Sequence, residues 1–271
     1  MYTLNNLRKK LVTQKITEEE YELLKDFNED FQKYANIYDC FFNVMKSLEE
    51  LNTFNEGAKY DDKITLNILY AEYKYLIYKY ILFTRQLVDN MKSFGAQIKN
   101  ENIKTIIKEY EKKDESQFLK VLRDFGQHFS LPITNFSKEI DIVSGEITCE
   151  LIIEKNHLEK NKGKNDKNDK YISSIELEEI NVLNYLPEWE KNILDLFSIV
   201  TKEFCLSIDK NTTKILREYF QPHKDGDYFF SPDSISLGED VGGSFYSKET
   251  FYFDENAMLI MVSIINTIDN Q

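Results

Sequence analysis

Residues 17–51 read TEEEYELLKDFNEDFQKYANIYDCFFNVMKSLEEL, and their spacing decides the fold class. Thr17 followed by Glu20 is a capping-box pattern, in which each side chain satisfies the other residue's backbone N–H. Glu18 and Glu19 suit the positive end of a helix dipole. Leu24, Phe27, Phe31, Tyr34, Tyr38, Phe41, Met45 and Leu48 then follow at alternating steps of three and four. That spacing is the stripe of a helix packed lengthwise on another. Asn52–Lys59, with Gly57, reads as the turn after it.

Outward from this helix, the pattern stays mostly helical. A second helix over about 62–94 is apolar nearly all round (Leu69, Tyr73, Ile77, Tyr80, Leu87), as a central bundle helix is, and Gly95 is its expected stop. A third starts near Asn102, loosens at Glu111–Glu115, and resumes with Phe118, Leu119, Leu122 and Phe125 until Pro132 ends it. IDIVSGEITCELIIE (140–154) is rich in β-branched residues around Ser144-Gly145 and predicts a short β-hairpin. EKNHLEKNKGKNDKNDK (154–170) has no apolar period and reads as an exposed loop or disorder, a solvated lysine-rich linker. Helix resumes near Ile175, breaks at Pro187, and runs from Trp189 to about Phe220; 221–250 is loop-rich. FDENAMLIMVSIINTI (253–268) makes a final helix capped by Asp254. The expected fold is mostly α: a helical bundle with a long N-terminal helix and a small β-hairpin insertion. The expected organisation is a helical bundle over 1–135, a hairpin and lysine/asparagine loop over 136–170, and C-terminal helices over 171–271 packing on the same bundle.

Composition bounds the function. The chain has 271 residues, 34 Lys and Arg against 47 Asp and Glu, and a net charge of −13, which excludes a sheath-like nucleic-acid binder but leaves room for a local basic cleft. Nine Gly and four Pro are too few for a many-stranded sandwich. Cys40, Cys149 and Cys205 are odd in number and far apart, so no disulfide framework or zinc site is written, and a reducing, cytoplasmic setting is expected. The opening MYTLNNLRKKLVTQK has no apolar signal core. Glu72, Lys74 and Lys79 interrupt the most apolar stretch, 66–83, and argue against a membrane span. No metal site and no cofactor are expected.

No P-loop, dinucleotide fingerprint, GxSxG or HExxH occurs. One stretch stands out: Arg123-Asp124-Phe125-Gly126-Gln127-His128, just before Phe129-Ser130-Leu131-Pro132-Ile133. Histidine moves a proton near neutral pH, and the arginine fork holds a phosphate. Arg123 and His128 lie about 140° apart around a helix, yet arginine's long stem and the last turn before Pro132 can bring both groups to one cleft. Such a pair suits phosphodiester cleavage, with His128 moving the proton and Arg123 stabilising the phosphorane. The same residues admit a structural reading: Arg123 in a helix salt bridge, and His128 at a helix C-terminus. Glu72 and Arg85, on the second helix, are candidates to face the motif or to pair with each other. His157 reads as solvated and His223 as a turn residue.

RDFGQH at the end of a late bundle helix, leading into Leu131-Pro132, resembles the R-x4-6-H motif of the HEPN superfamily over about residues 60–135. Members often carry a polar residue after the arginine, and Asp124 fits. The resemblance implies an endoribonuclease that needs no metal, cleaving single-stranded RNA by 2′-OH attack, in phage defence or a toxin–antitoxin system. It implies catalytic Arg123 and His128, Asp124 orienting one of them, substrate contacts from Gln127 and Arg85, a homodimer, RNA as partner, and a protein partner or antitoxin. Some members are inactive scaffolds, so a helical interaction protein stands as the alternative.

Overall fold

The computed structural model describes residues 2–6, 11–60, 65–128, 131–145, 147–160, 163, 165–220, 228–231 and 251–269. In chain order its elements are β1 (Tyr2–Asn6), β2 (Leu11–Ile16), α1 (Glu18–Tyr60), α2 (Leu66–Gln97), α3 (Glu101–Tyr110), α4 (Asp114–His128), β3 (Asn135–Ile140), β4 (Ile147–Glu154), α5 (Lys155–Glu159), α6 (Asp166–Ser174), β5 (Glu179–Asn181), a 3-10 turn (Val182–Tyr185), α7 (Leu186–Ser207), α8 (Lys210–Tyr219), β6 (Tyr228–Ser231), β7 (Phe251–Phe253) and α9 (Glu255–Asp269). The fold is mostly α, with a long N-terminal helix and a small hairpin-based sheet.

The capping box forms as expected: Glu20 N–H donates to Thr17 Oγ1 at 3.2 Å, and Thr17 N–H donates to Glu20 Oε2 at 2.7 Å. The turn expected at Asn52–Lys59 does not form, and α1 runs through it to Tyr60. A glycine inside a helix costs only about 1 kcal/mol, and the flanking turns supply the hydrogen bonds. The buried face of α1 also departs from strict three–four alternation. Leu24, Phe27, Phe31 and Tyr34 are buried, but Ile37, Cys40, Val44, Leu48 and Leu51 then take over, leaving Tyr38, Phe41 and Met45 half-buried. A straight helix of 3.6 residues per turn drifts by roughly 20° per heptad, so a 3.5-residue stripe cannot face one neighbour along this length.

The chain divides into two compact units, Met1–Tyr38 with Val200–Gln271, and Asp39–Ile199. Both sequence-derived boundaries, at 135 and 170, fall inside the second unit. In the first unit, β2, β1, β6 and β7 form an antiparallel sheet in that order. The N-terminal hairpin in it has no counterpart in the sequence expectation. The core beside the sheet is aromatic: Phe253 meets Phe31 at 5.4 Å and Phe220 at 5.6 Å, and Tyr34 stacks on Phe204 at 4.8 Å. Asp254 caps α9 through a 2.7 Å bond from Ala257 N–H.

The second unit is built on α2, whose Tyr73, Ile77, Tyr80, Ile81 and Leu87 are fully buried. Phe118 of α4 and Trp189 of α7 complete its centre, with Trp189 Nε1 donating to the Glu115 carbonyl at 3.0 Å. Gly95 is not the stop of α2. It lies in the last turn, where a Cβ would come within 2.7 Å of Ile103 of α3, and Lys99, at φ 55°, makes the turn. Asn100 N–H reaches Gly95 O at 2.9 Å and Lys99 N–H reaches Ala96 O at 3.3 Å, a Schellman closure. The expected hairpin forms with Gly145 at φ 72° in its turn, but its first strand, β3, lies at Asn135–Ile140, ahead of the 140–154 stretch read for it, and β5 adds a third strand.

Three further expectations are corrected. The tract 154–170 is folded in part: α5 starts at Lys155, and Asn165 caps α6 by accepting from the Lys167 N–H at 3.1 Å. Asparagine is a good N-cap, and Asn168, Tyr171 and Ile172 give α6 a buried face that the lysine-rich composition conceals. Pro187 does not break a helix but sits in the first turn of α7, where its missing N–H costs nothing. The long element then ends at Ser207, and Asp209 caps a separate α8. No helix among the described residues is long and apolar enough to cross a membrane.

Candidate functional site

Helix α4 buries Phe118, Leu119, Val121, Leu122 and Phe125, which leaves Arg123 and Asp124 on two flanks of its outer surface. Adjacent helical residues differ by about 100° around the axis, so the two project toward different neighbours.

On one flank, Arg123 and Gln127, one turn apart, line a groove of about 360 Å³ with Leu82, Arg85, Gln86 and Asp89 of α2. The structure thus brings together Arg123, Arg85 and Gln127, three of the residues picked from sequence. Arg85 is 7% exposed; its Nη2 donates to Asp89 Oδ1 at 3.1 Å and Glu111 Oε1 at 3.4 Å, while its buried Nε has no partner. Glu72 is exposed and does not line this groove. On α2 it lies thirteen residues from Arg85, about 220° around the helix.

On the other flank, Asp124 is a convergence point. Its Oδ1 accepts from Arg123 Nη1 at 2.7 Å, and its Oδ2 accepts from Asn168 Nδ2 at 2.9 Å and Asn165 Nδ2 at 3.4 Å. Burial on its own would raise the Asp124 pKa; the hydrogen bonds from Arg123 and Asn168 outweigh it and hold the carboxyl below its ordinary 3.8. Asp124 is therefore a carboxylate at neutral pH and fixes the Arg123 guanidinium from one side. Arg123 keeps four further N–H donors for another ligand. No sequence signal marked Asn165 or Asn168, because their partner lies more than forty residues away.

Gly126 has a structural reason that sequence reading missed. A Cβ there would meet Cε2 of Tyr78 at 2.5 Å, so the glycine lets α4 approach α2 closely at the groove. His128 is the last residue of α4. Its side chain lies outside the described residues, as does His223. His157 is half-buried on α5, 3.8 Å from Glu154, rather than solvated. The three cysteines are buried thiols, and burial pushes Cys205 up to about 12, which keeps it protonated. Among the described residues, no group of three or more His, Cys, Asp or Glu is placed to hold a metal ion.

No protein-family model, no curated protein and no solved structure matches this chain.

Proposed function

We propose that the chain cleaves the phosphodiester backbone of single-stranded RNA in the groove between α2 and α4. The observation that carries this reading is the meeting of Arg123, Arg85 and Gln127 on one groove, with Arg123 held in place by Asp124. A guanidinium fixed on one edge by a carboxylate presents its remaining donors to a phosphate with little ordering cost. In the reaction, the ribose 2′-oxygen attacks phosphorus and the O5′–P bond breaks, leaving a 2′,3′-cyclic phosphate and a 5′-hydroxyl. One proton leaves the 2′-OH and one reaches O5′. His128, five positions after Arg123 at the end of the same helix, is the residue for proton transfer, and Arg123 stabilises the added phosphorane charge. The homodimer and the protein partner implied by the HEPN resemblance belong to this proposal.

The test is purified full-length chain with end-labelled RNA in EDTA. Cleavage to cyclic-phosphate ends is expected, falling about 10²–10³-fold in Arg123→Ala, as for loss of one charge-stabilising donor, and collapsing in His128→Ala. Absence of cleavage, or equal rates in the variants, rejects the reading. A non-enzymatic interaction protein is the second reading. It draws on the exposed apolar side chains Phe42, Ile68 and Tyr75 of α1 and α2, each about 60% exposed.

A further inference from the structure

A second groove, of about 790 Å³, lies along α3, α4 and α6 within the second unit. Its walls carry Lys108 from α3, Lys112 from the turn after it, Lys120 from α4, and Lys167 and Lys170 from α6. Only two carboxylates share the lining, Glu111 and Asp114, which leaves three positive charges in excess on a chain of net charge −13. Glu111 is moreover already engaged by Arg85 and Lys92. Lys112 pairs with Glu109, but Lys108, Lys120, Lys167 and Lys170 have no ion-pair partner within 4.0 Å among the described residues. Lys120 and Lys108 feel the charges of Asp124 and Glu101 without pairing closely with them, yet the lining keeps a net excess of cations that is unfavourable for folding, so the arrangement fits a ligand that supplies the negative charge.

The distribution of these cations selects the ligand's shape. They line about 790 Å³ of groove, more room than a single small phosphate fills. They are spread over three helices along an open trough, as a strand of successive phosphates needs. Along α4 the wall runs Asp114, Gln117, Lys120 and then to Asp124, one turn beyond Lys120, where Asn168 of α6 closes on the carboxylate that holds Arg123. A strand following the lysines therefore passes within a helix diameter of Arg123.

We propose that the α3–α4–α6 lysine groove binds the phosphate backbone of single-stranded RNA and delivers it to the Arg123 groove; the delivery half rests on the ribonuclease reading, the binding half does not. The lysines supply sequence-independent affinity, and Arg123 with its neighbours supplies the reaction geometry. Affinity should fall steeply with salt, since each neutralised phosphate of a single strand adds about 0.7 to the slope of log affinity against log salt.

The experiment uses the full chain and a fluorescein-labelled oligouridine, read by anisotropy over a salt series, with cleavage followed separately. Lys167 and Lys170 are exposed and Lys120 is half-buried, so thermal unfolding of each variant verifies that the fold is kept. The triple variant Lys120→Ala/Lys167→Ala/Lys170→Ala should bind roughly tenfold to a hundredfold more weakly, with a salt slope lower by about 2. Its cleavage should be impaired in KM far more than in kcat. Arg123→Ala should weaken binding far less than the triple variant does, while its cleavage falls about 10²–10³-fold. If the wild type binds RNA and the triple variant binds equally well, or if the wild type does not bind, the groove proposal is overturned. Binding lost in the triple variant, with no cleavage by the wild type, sinks the ribonuclease reading and leaves the groove standing.

Discussion

The two grooves that flank α4 treat positive charge in opposite ways. On the α2 side, Arg85 is buried and matched by Asp89 and Glu111, and Arg123 is matched by Asp124. On the α6 side, Lys108, Lys120, Lys167 and Lys170 have no such partners among the described residues. Paired guanidiniums, buried at Arg85 and half-buried at Arg123, contribute position: the carboxylates fix where the forks point, at the expense of net field. Unpaired ammonium groups contribute field and little geometry, because a flexible four-carbon stem holds each one. One helix separates a surface suited to placing an anion from one suited to attracting it.

The contrast is sharpest in stability. Arg85→Ala removes a buried cation from Asp89 and Glu111 and leaves a void beside α2, so a loss of about 2–3 kcal/mol is expected, read as a lower urea midpoint at unchanged slope. Lys92, 3.5 Å from Glu111, keeps the cost from being larger. Any one of the unpaired lysines changed to alanine should move stability by less than about 0.5 kcal/mol. Equal losses from the two grooves would erase the distinction.

Gly126→Ala gives a smaller effect. The substitution gains about 1 kcal/mol of helix propensity, yet the new methyl collides with the Tyr78 ring, and overpacking costs about 1–3 kcal/mol. A net loss of about 1 kcal/mol is expected, recovered when Tyr78→Ala is added. A stabilised single variant would show that α4 and α2 have slack at the groove.

The smallest effect concerns acid. Asp124 has a folded-state pKa below its unfolded 3.8, so its contribution is fully present above about pH 5 and declines as pH falls through 3.8 toward the folded value. The stability difference between wild type and Asp124→Asn should therefore be flat from neutrality to about pH 5 and shrink below about pH 4. A difference that stays constant on acidification would mean that the Arg123 and Asn168 bonds do not depend on the carboxylate charge.

Much of the helical frame was legible in the residues, and the reasons are local. Thr17 with Glu20 and Asp254 are caps whose partners lie three residues away, and Gly145 makes its turn with its neighbours. Composition misled where it outweighed such signals: the lysine/asparagine tract hid the Asn165 cap and the buried face of α6, and Gly57 and Gly95 looked like stops. At the candidate site the motif residues were visible as a cluster, with Arg85 and Glu72 as candidates on another helix, of which only Arg85 lines the groove. The ties that give the cluster its geometry, Asn165 and Asn168 on Asp124 and Tyr78 over Gly126, were not.

Helix type, the caps, the hairpin turn and the placing of Arg123 and Asp124 at the end of a helix all follow from neighbours within about one turn, where backbone hydrogen bonding and side-chain period are set. The pairing of β1 with β6, the drift of the buried face along α1, and the assembly of one paired and one unpaired cationic groove around α4 needed the packed chain. Those features join residues tens to hundreds of positions apart, and their energies exist only once desolvation and close packing have brought the partners together.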